Sequence, residues 1–250
     1  MALLHCELYS RELRMPTSLN LILPQDMTGL ATPAKSLYLL HGRSHNYSVW
    51  QRYTSLERYC ESRHLAVIMP EANRSFYTDM AYGVNYFSYL TEELPKLCQS
   101  MFHISARPED RYIAGISMGG YGCLKAALSC PENYAACFPI SAVADIRLHI
   151  SDTPEDSPKK NEFRGIFGPE FTVKEQDDLY ALALRAQSSA RTPDLHFFCG
   201  TEDHLYKEGK AFQEYLRGLH FRVSCEEWPG VHDWAFWDTA IAGVIRCVCP

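Results

Sequence analysis

The chain of 250 residues is long enough for one sizeable α/β domain, and its 46% of hydrophobic residues suffice for a packed core. Its formal net charge of −6 comes without any basic block. This excludes a nucleic-acid partner, because phosphate contacts need a local surplus of lysine and arginine. We therefore expect a small-molecule partner.

The N-terminal sequence MALLHCELYSREL lacks the charged stretch and long apolar core of a signal peptide, and no run of 18 apolar residues predicts a membrane span. We expect a cytoplasmic protein without membrane contact, in which the ten cysteines are reduced. Cys247 and Cys249 are interpreted as small apolar residues rather than metal ligands. The sequence predicts no metal and no cofactor, and a homo-oligomer is compatible with it.

The first half of the chain alternates strand-like and helical segments. The predicted elements are a hairpin from HCELYSREL and SLNLILP, a strand KSLYLLHG, a helix SVWQRYTSLERYCESRH, a strand LAVIMPEA and a long helix NYFSYLTEELPKLCQSMF. Pro95 is expected to interrupt that long helix. A strand DRYIAGI and a helix GYGCLKAALSCPE follow.

The second half continues this alternation around one polar segment. Two predicted strands, AACFPISAV and DLHFFCG, flank residues 151–190, which are helical around QDDLYALALRA. A helix GKAFQEYLRGLH, a strand FRVSCEEWPG and a helix WAFWDTAIAGVIRCV complete the chain. The pattern predicts an α/β fold with a mainly parallel sheet and helices on both faces. Residues 1–250 are interpreted as one domain, with 151–190 as a cap insertion.

Ser117 lies at the centre of a Gly-x-Ser-x-Gly motif formed with Gly115 and Gly119. The motif alone is weak, because common residue types produce it by chance. Here it follows a predicted strand and opens a predicted helix, the context in which a strained turn exposes a serine hydroxyl at the sheet edge. The helix N-terminus adds positive partial charge beside that hydroxyl. We predict that Ser117 is a nucleophile.

A serine nucleophile that attacks a carbonyl needs N–H donors for the resulting oxyanion. The backbone N–H of Met118, directly after the serine, is one expected donor. The segment YLLHGRSHN at 38–46 offers the second, because Gly42 lets the chain turn and aim the N–H of Arg43 into the site. The alternative is a turn that only ends the strand.

The acid of a catalytic triad is expected between the serine and the histidine in chain order. Asp203 lies on the loop just beyond the predicted strand 195–199, and we favour it over the adjacent Glu202. The other candidate carboxylates of this region are interpreted as solvated surface charges: Asp177, Asp178 and Asp194.

Ten histidines compete for the role of general base. His232 follows the break at Pro229–Gly230 and precedes the last helix, so its loop can reach the serine. His204 is too close in sequence to the predicted acid to be oriented by it easily. His220 ends a helix, where a histidine complements the helix dipole. We predict that His232 is the base.

Aromatic residues on loops beside the predicted site are candidates for the walls of a substrate pocket. Tyr77, Tyr82 and Trp234 are the three, and His41 and Gly42 join them from the strand end. Aromatic residues in such positions also serve as core residues, and both interpretations stay open.

Five motifs together resemble the esterase D-like branch of the α/β-hydrolases, and most of all its bacterial tributyrin esterases. They are YLLHG, ANRSFYTD, GISMGGYG, FFCGTEDHLY and GVHDWAFW, and FRGIFG in the cap insertion adds a sixth match. The resemblance covers nearly the whole chain in the family's order. It implies an α/β-hydrolase fold with a triad of Ser117, Asp203 and His232, with backbone oxyanion donors at Arg43 and Met118.

The resemblance implies a serine carboxylesterase that cleaves short acyl esters, acetyl to butyryl, through an acyl-enzyme. Two enzyme classes remain as alternatives, an S-formylglutathione hydrolase-type thioesterase and an acetyl-sugar or feruloyl esterase. The related S-formylglutathione hydrolases carry a Ser-Gly-Leu-Thr-Cys type of oxyanion loop, whereas this chain has His-Gly-Arg-Ser. A non-catalytic binding protein with a hydrolase fold is the remaining alternative.

Overall fold

A computed structural model describes residues 1–25 and 32–249 of the chain. The strands are β1 (Ala2–Ser10), β2 (Met15–Leu23), β3 (Lys35–Leu40), β4 (Leu65–Pro70), β5 (Arg111–Ile116), β6 (Ala136–Ile140), β7 (Asp194–Gly200) and β8 (Val223–Trp228). The helices are α1 (Val49–Tyr53), α2 (Leu56–Tyr59), α3 (Tyr86–Ser88), α4 (Leu94–Met101), α5 (Met118–Ser129), α6 (Ile146–Ser151), α7 (Pro158–Phe167), α8 (Leu179–Ala186), α9 (Tyr206–Gly218) and α10 (Trp234–Val248).

The strands form one sheet in the order β1-β2-β4-β3-β5-β6-β7-β8. The β1–β2 hairpin and the β2–β4 pair are antiparallel, and every later pair is parallel. All six residues of β4 are buried, as expected for a strand covered on both faces, whereas the edge strand β1 alternates in exposure. The predicted α/β fold with a mainly parallel sheet is confirmed.

Two apolar cores lie on opposite faces of this sheet because successive side chains of a strand point to opposite sides. In β3, Leu37 and Leu39 join the core beneath α10, and Tyr38 and Leu40 join the core beneath α5. No helix in the described residues is long and apolar enough to cross a membrane.

Two helices predicted as single elements are interrupted. The segment after β3 divides into α1 and α2 at Thr54 and Ser55, where the Ser55 N–H donates to Asp238 on α10. The long helix before β5 contains a π-helical turn, Tyr89–Glu93, directly before α4. Pro95 lies in the first turn of α4, and its ring would meet the carbonyl four residues earlier in a regular helix.

The predicted cap insertion, 151–190, contributes to two different layers. Helix α8 packs against α5 and so belongs to the helices that cover the sheet. Helix α7 packs instead on the loop that follows β4, where the N–H groups of Ala81 and Tyr82 donate to carbonyls of α7.

A buried ion pair joins this segment to α5. Lys125 Nζ lies 2.6 Å from the carboxylate of Asp177, and both side chains are buried. Lys125 also donates to Thr78 Oγ1, and burial lowers its pKa although the nearby Asp177 carboxylate opposes this shift. The interpretation of Asp177 as a solvated surface charge is therefore wrong, since its carboxylate is buried and paired. No periodicity in the sequence reveals Lys125 as its cation.

Replacing Lys125 by Met is expected to lower the free energy of unfolding by about 3–5 kcal/mol, because the Asp177 carboxylate then stays buried without its cation. Urea denaturation followed by circular dichroism measures this change. The double variant Lys125→Met/Asp177→Asn is the control and should recover most of the loss. A single variant as stable as the wild type would contradict the assignment.

Candidate active site

The turn between β5 and α5 holds Ser117 in a strained backbone conformation. Its φ of 54° and ψ of −114° lie outside the regions that L-residues ordinarily occupy. A Cβ atom at Gly115 would come within 2.3 Å of the carbonyl oxygen of Gly119, so this approach requires glycine. The Ser117 N–H donates to the carbonyl of Ile140 on β6, and this bond holds the turn at the sheet edge.

The two residues predicted to supply oxyanion N–H groups line the same cavity as Ser117. Met118 is the first residue of α5, so its N–H has no acceptor within the helix. Arg43 lies on the loop after β3, and its side chain forms an ion pair with Glu162, 2.7 Å from its Nε. Glu162 also pairs with Arg74, and although burial acts to raise the pKa of Glu162, hydrogen bonds from the two arginines lower it overall.

A histidine and an aspartate from the loops after β8 and β7 form a hydrogen bond. His232 Nδ1 lies 2.8 Å from Asp203 Oδ2, and the Asp203 side chain is completely buried. The Leu205 N–H donates to the other carboxylate oxygen, at 2.9 Å. Burial acts to raise the pKa of Asp203, but the hydrogen bonds from His232 and Leu205 outweigh it and lower the pKa overall. The neighbouring Glu202 is exposed.

A cavity of about 360 Å³ joins these elements. Its walls include five of the residues that the sequence selected: Gly42, Arg43, Ser117, Met118 and His232. No hydrogen bond between the Ser117 hydroxyl and His232 is formed in the described part of the chain. Such bonds are often long in free enzymes and tighten when substrate binds.

Residues 10–246 match the protein family described as "Putative esterase". The chain belongs to this family. It is an esterase with the α/β-hydrolase fold, as the sequence motifs predicted. An acetyl esterase of Caldicellulosiruptor saccharolyticus is 30% identical over 260 residues, which cover 98% of this chain and 97% of the relative.

Two solved structures from Staphylococcus aureus are similar to this esterase over almost its full length. One is the fluorophosphonate-binding serine hydrolase FphF, with a TM-score of 0.91, and the other is the S-formylglutathione hydrolase FrmB, with a TM-score of 0.88. Each is 35% identical, and each match covers 99% of this chain and 98% of the other.

Four residues that the sequence suggested for the pocket walls do not line the cavity of this esterase. His41 is buried, donates from Nδ1 to the Gly42 carbonyl and accepts the Ala72 N–H at Nε2. Tyr77 is buried beneath it and donates to the His41 carbonyl. Tyr82 is 69% exposed on the outer surface. Trp234 stacks on Tyr53 outside the cavity, with ring centroids 5.1 Å apart.

Other residues complete the walls instead. The further apolar residues are Phe76, Val143, Leu205 and Trp237, and the further polar residues are Ser44, His45, His149, Lys159 and His204. Ser44 and His45 directly follow Arg43, and His204 and Leu205 directly follow Asp203, whereas Val143, His149 and Lys159 come from segments in which the sequence predicted no site residue. Three quoted motifs contained a signal, since ANRSFYTD includes Phe76, FFCGTEDHLY includes His204 and Leu205, and GVHDWAFW includes Trp237.

Aromatic packing and neighbouring imidazoles set the surroundings of His232. The Trp237 ring meets the His232 ring edge-on at 4.9 Å, and Trp237 itself donates to Ser141. Burial lowers the pKa values of His45 and His204, and the nearby His232 lowers both further. These shifts favour neutral imidazoles beside His232.

The low pKa of Asp203 predicts how this site affects stability. A carboxylate with a depressed folded-state pKa stabilises the fold above its unfolded pKa, about 3.9, and loses this contribution as the pH falls through the folded value. The destabilisation caused by Asp203→Asn should therefore be largest above about pH 5 and should shrink in more acidic solution.

Urea denaturation of wild type and Asp203→Asn between neutral and acid pH measures this difference. Glu202→Gln changes the exposed neighbouring carboxylate and is the matched control, which should leave the profile close to that of the wild type. A difference between wild type and Asp203→Asn that stays constant down to acid pH would refute the assigned linkage.

Proposed function

We propose that the esterase hydrolyses short-chain acyl esters, acetyl to butyryl, with Ser117, His232 and Asp203 as its catalytic triad. The observation that carries this proposal is the 2.8 Å hydrogen bond from His232 to the buried Asp203, behind a cavity that His232 shares with the strained Ser117. The acetyl esterase relative supports a short acyl group.

The hydrogen bond to Asp203 determines which nitrogen of His232 acts as the base. His232 Nδ1–H donates its hydrogen bond to Asp203, so Nε2 keeps its lone pair for the hydroxyl proton of Ser117. As Ser117 Oγ attacks the ester carbonyl, Nε2 takes that proton, and Asp203 stabilises the resulting imidazolium. His232 then returns the proton to the departing alkoxide, which leaves as the alcohol while the acyl group stays on Ser117.

Deacylation repeats these steps with water as the nucleophile. His232 Nε2 takes a proton from the water as its oxygen attacks the acyl carbonyl. When the second tetrahedral intermediate collapses, the proton returns to Ser117 Oγ and the carboxylic acid is released. The cycle consumes one water and restores both residues, so it requires no cofactor.

The N–H groups of Arg43 and Met118 are assigned to the oxyanion of both tetrahedral intermediates. A preorganised donor of this kind contributes about 3 kcal/mol to transition-state stabilisation. The ion pair between Arg43 and Glu162 supports the assignment, because it holds the Arg43 side chain on α7 while Arg43 remains part of the cavity wall. Glu162 belongs to α7, so the proposed cap contributes to the oxyanion side of the site.

Thioester hydrolysis of the S-formylglutathione type is the second candidate. The similarity to the S-formylglutathione hydrolase of Staphylococcus aureus favours it, and the same triad attacks thioesters. Lys159 adds a half-buried cation to the cavity wall, where an anionic leaving group would find a partner. Burial lowers the pKa of Lys159.

A cytoplasmic location is supported by the ten free cysteines.

The decisive experiment measures kcat/KM for p-nitrophenyl esters from acetate to octanoate, beside S-formylglutathione. We expect a maximum at acetyl to butyryl, because the similarity to an acetyl esterase favours a short acyl group. Ser117→Ala should abolish turnover and labelling by a fluorophosphonate. Asp203→Asn should lower kcat by about 10⁴-fold, because it removes control of the histidine tautomer.

The Glu202→Gln variant serves again as the control and should retain wild-type kinetics. A clear preference for S-formylglutathione would reassign the substrate to the thioester class. Ester turnover or fluorophosphonate labelling that persists in Ser117→Ala would overturn the proposed triad.

A further inference from the structure

His204, a residue that the proposed mechanism does not use, lies beside the Asp203–His232 pair. Its Nδ1 is 3.5 Å from Asp203 Oδ1, while His232 Nδ1 is 2.8 Å from Asp203 Oδ2. The two imidazole rings meet edge-on with centroids 4.6 Å apart. One donor atom from each of these three side chains lies within 4.8 Å of the others, and the described residues contain no second such cluster.

The spacing of these atoms suits a tetrahedral metal. Zinc binds nitrogen and oxygen ligands at about 2.0–2.2 Å, which places neighbouring ligand atoms roughly 3.3 Å apart. His204 Nδ1 is 3.5 Å from Oδ1 and His232 Nδ1 is 2.8 Å from Oδ2, so the two imidazoles approach the two oxygens of the Asp203 carboxylate at distances close to that value. Two imidazoles and one carboxylate leave a fourth position for water, and this donor set suits zinc rather than magnesium or calcium.

The cluster is also accessible from solvent on one side. The His204 side chain is 67% exposed, so an ion reaches the cluster directly from solvent. Asp203 itself is fully buried, which limits binding to the side that His204 and His232 present.

We propose that Asp203, His204 and His232 form a reversible zinc site and that bound Zn²⁺ inhibits the esterase through the tautomer of His232. The inhibition, though not the binding, rests on the proposed function. Bonds form from zinc to His232 Nδ1, to one nitrogen of His204 and to the Asp203 carboxylate. The N–H bond at His232 Nδ1 breaks, and its proton moves to Nε2 of the same ring.

This proton transfer disables the base without displacing it. Nε2 then carries a hydrogen and has no lone pair for the proton of Ser117, so the serine loses its activation. The ion simultaneously replaces the hydrogen bond by which Asp203 holds the productive tautomer. Zinc therefore blocks catalysis at Nδ1 and Nε2 of His232, the two atoms that the mechanism needs. Removal of the zinc restores both.

Binding is tested by titrating zinc chloride into the Ser117→Ala protein in a calorimeter. We expect one zinc per chain at this site. In the double variant Ser117→Ala/His204→Asn the zinc affinity should fall by at least about tenfold, since even the loss of a residue that only orients a metal ligand costs that much. His149→Asn, which alters a histidine of the same cavity outside the cluster, is the matched control. Cys247→Ser removes the exposed thiol, the other zinc ligand type on the surface.

Unchanged zinc affinity in both His204→Asn and a second variant, His204→Gln, would overturn the proposed site. Affinity lost only in Cys247→Ser would overturn it equally. Circular dichroism of the His204 variants establishes that they are folded, which their solvent exposure leads us to expect.

Inhibition is tested on the enzyme with an active serine. Zinc chloride should slow both p-nitrophenyl acetate hydrolysis and fluorophosphonate labelling of Ser117, EDTA should restore both, and magnesium chloride should have no effect. Each variant is compared with its own zinc-free rate, and His204→Asn should raise the inhibitory zinc concentration by the same factor as its dissociation constant.

The two proposals fail in different ways. If the fluorophosphonate fails to label Ser117 in the absence of zinc, the proposed function is refuted, whereas the zinc binding measured by calorimetry still stands. Normal labelling together with zinc inhibition that is insensitive to the His204 variants would refute the zinc site alone.

Discussion

The hydrogen bond between Asp203 and His232 is the interaction on which the rest of the site depends, and it spans two loops after neighbouring parallel strands. The backbone holds these loops together. The Glu202 N–H donates to the Gly230 carbonyl, and a Cβ at Gly200 would lie 2.2 Å from that same oxygen. Only glycine at the end of β7 therefore lets the two loops approach closely enough for this bond.

A second constraint positions Ser117, the proposed nucleophile, at the cavity that His232 also lines. The turn at Ser117 is strained, and bonds to the next segment of the sheet offset the strain. The Ser117 N–H donates to Ile140, and its carbonyl accepts the N–H of Val143, which lines the cavity. Parallel strands end at one sheet edge, so the loops after β3, β5, β7 and β8 meet there. The reactive groups converge because of topology rather than sequence proximity.

The sequence predicts features that depend on local pattern. The parallel sheet follows from apolar runs between helical segments, and Ser117 follows from glycines in a strand–turn–helix context. The sequence does not predict whether a side chain on a loop is buried or exposed. Tyr77 and Tyr82 belong to one loop, yet one is buried and the other exposed. The sequence also does not predict that the Asp177 carboxylate is buried, because its cation, Lys125, lies 52 residues earlier and no periodicity links such partners.

The surroundings of His232 explain why one histidine can be both the proposed base and a proposed metal ligand. A general base near neutral pH needs a lone pair on one nitrogen and an acceptor for the other, and a carboxylate supplies that acceptor. A carboxylate can also bind a metal, so an additional imidazole beside it converts an orienting pair into a set of three donors. His204 supplies that imidazole from the position next to Asp203. The adjacency of His204 to Asp203 disfavours His204 as the base. The same adjacency brings its imidazole close enough to the carboxylate to act as a ligand.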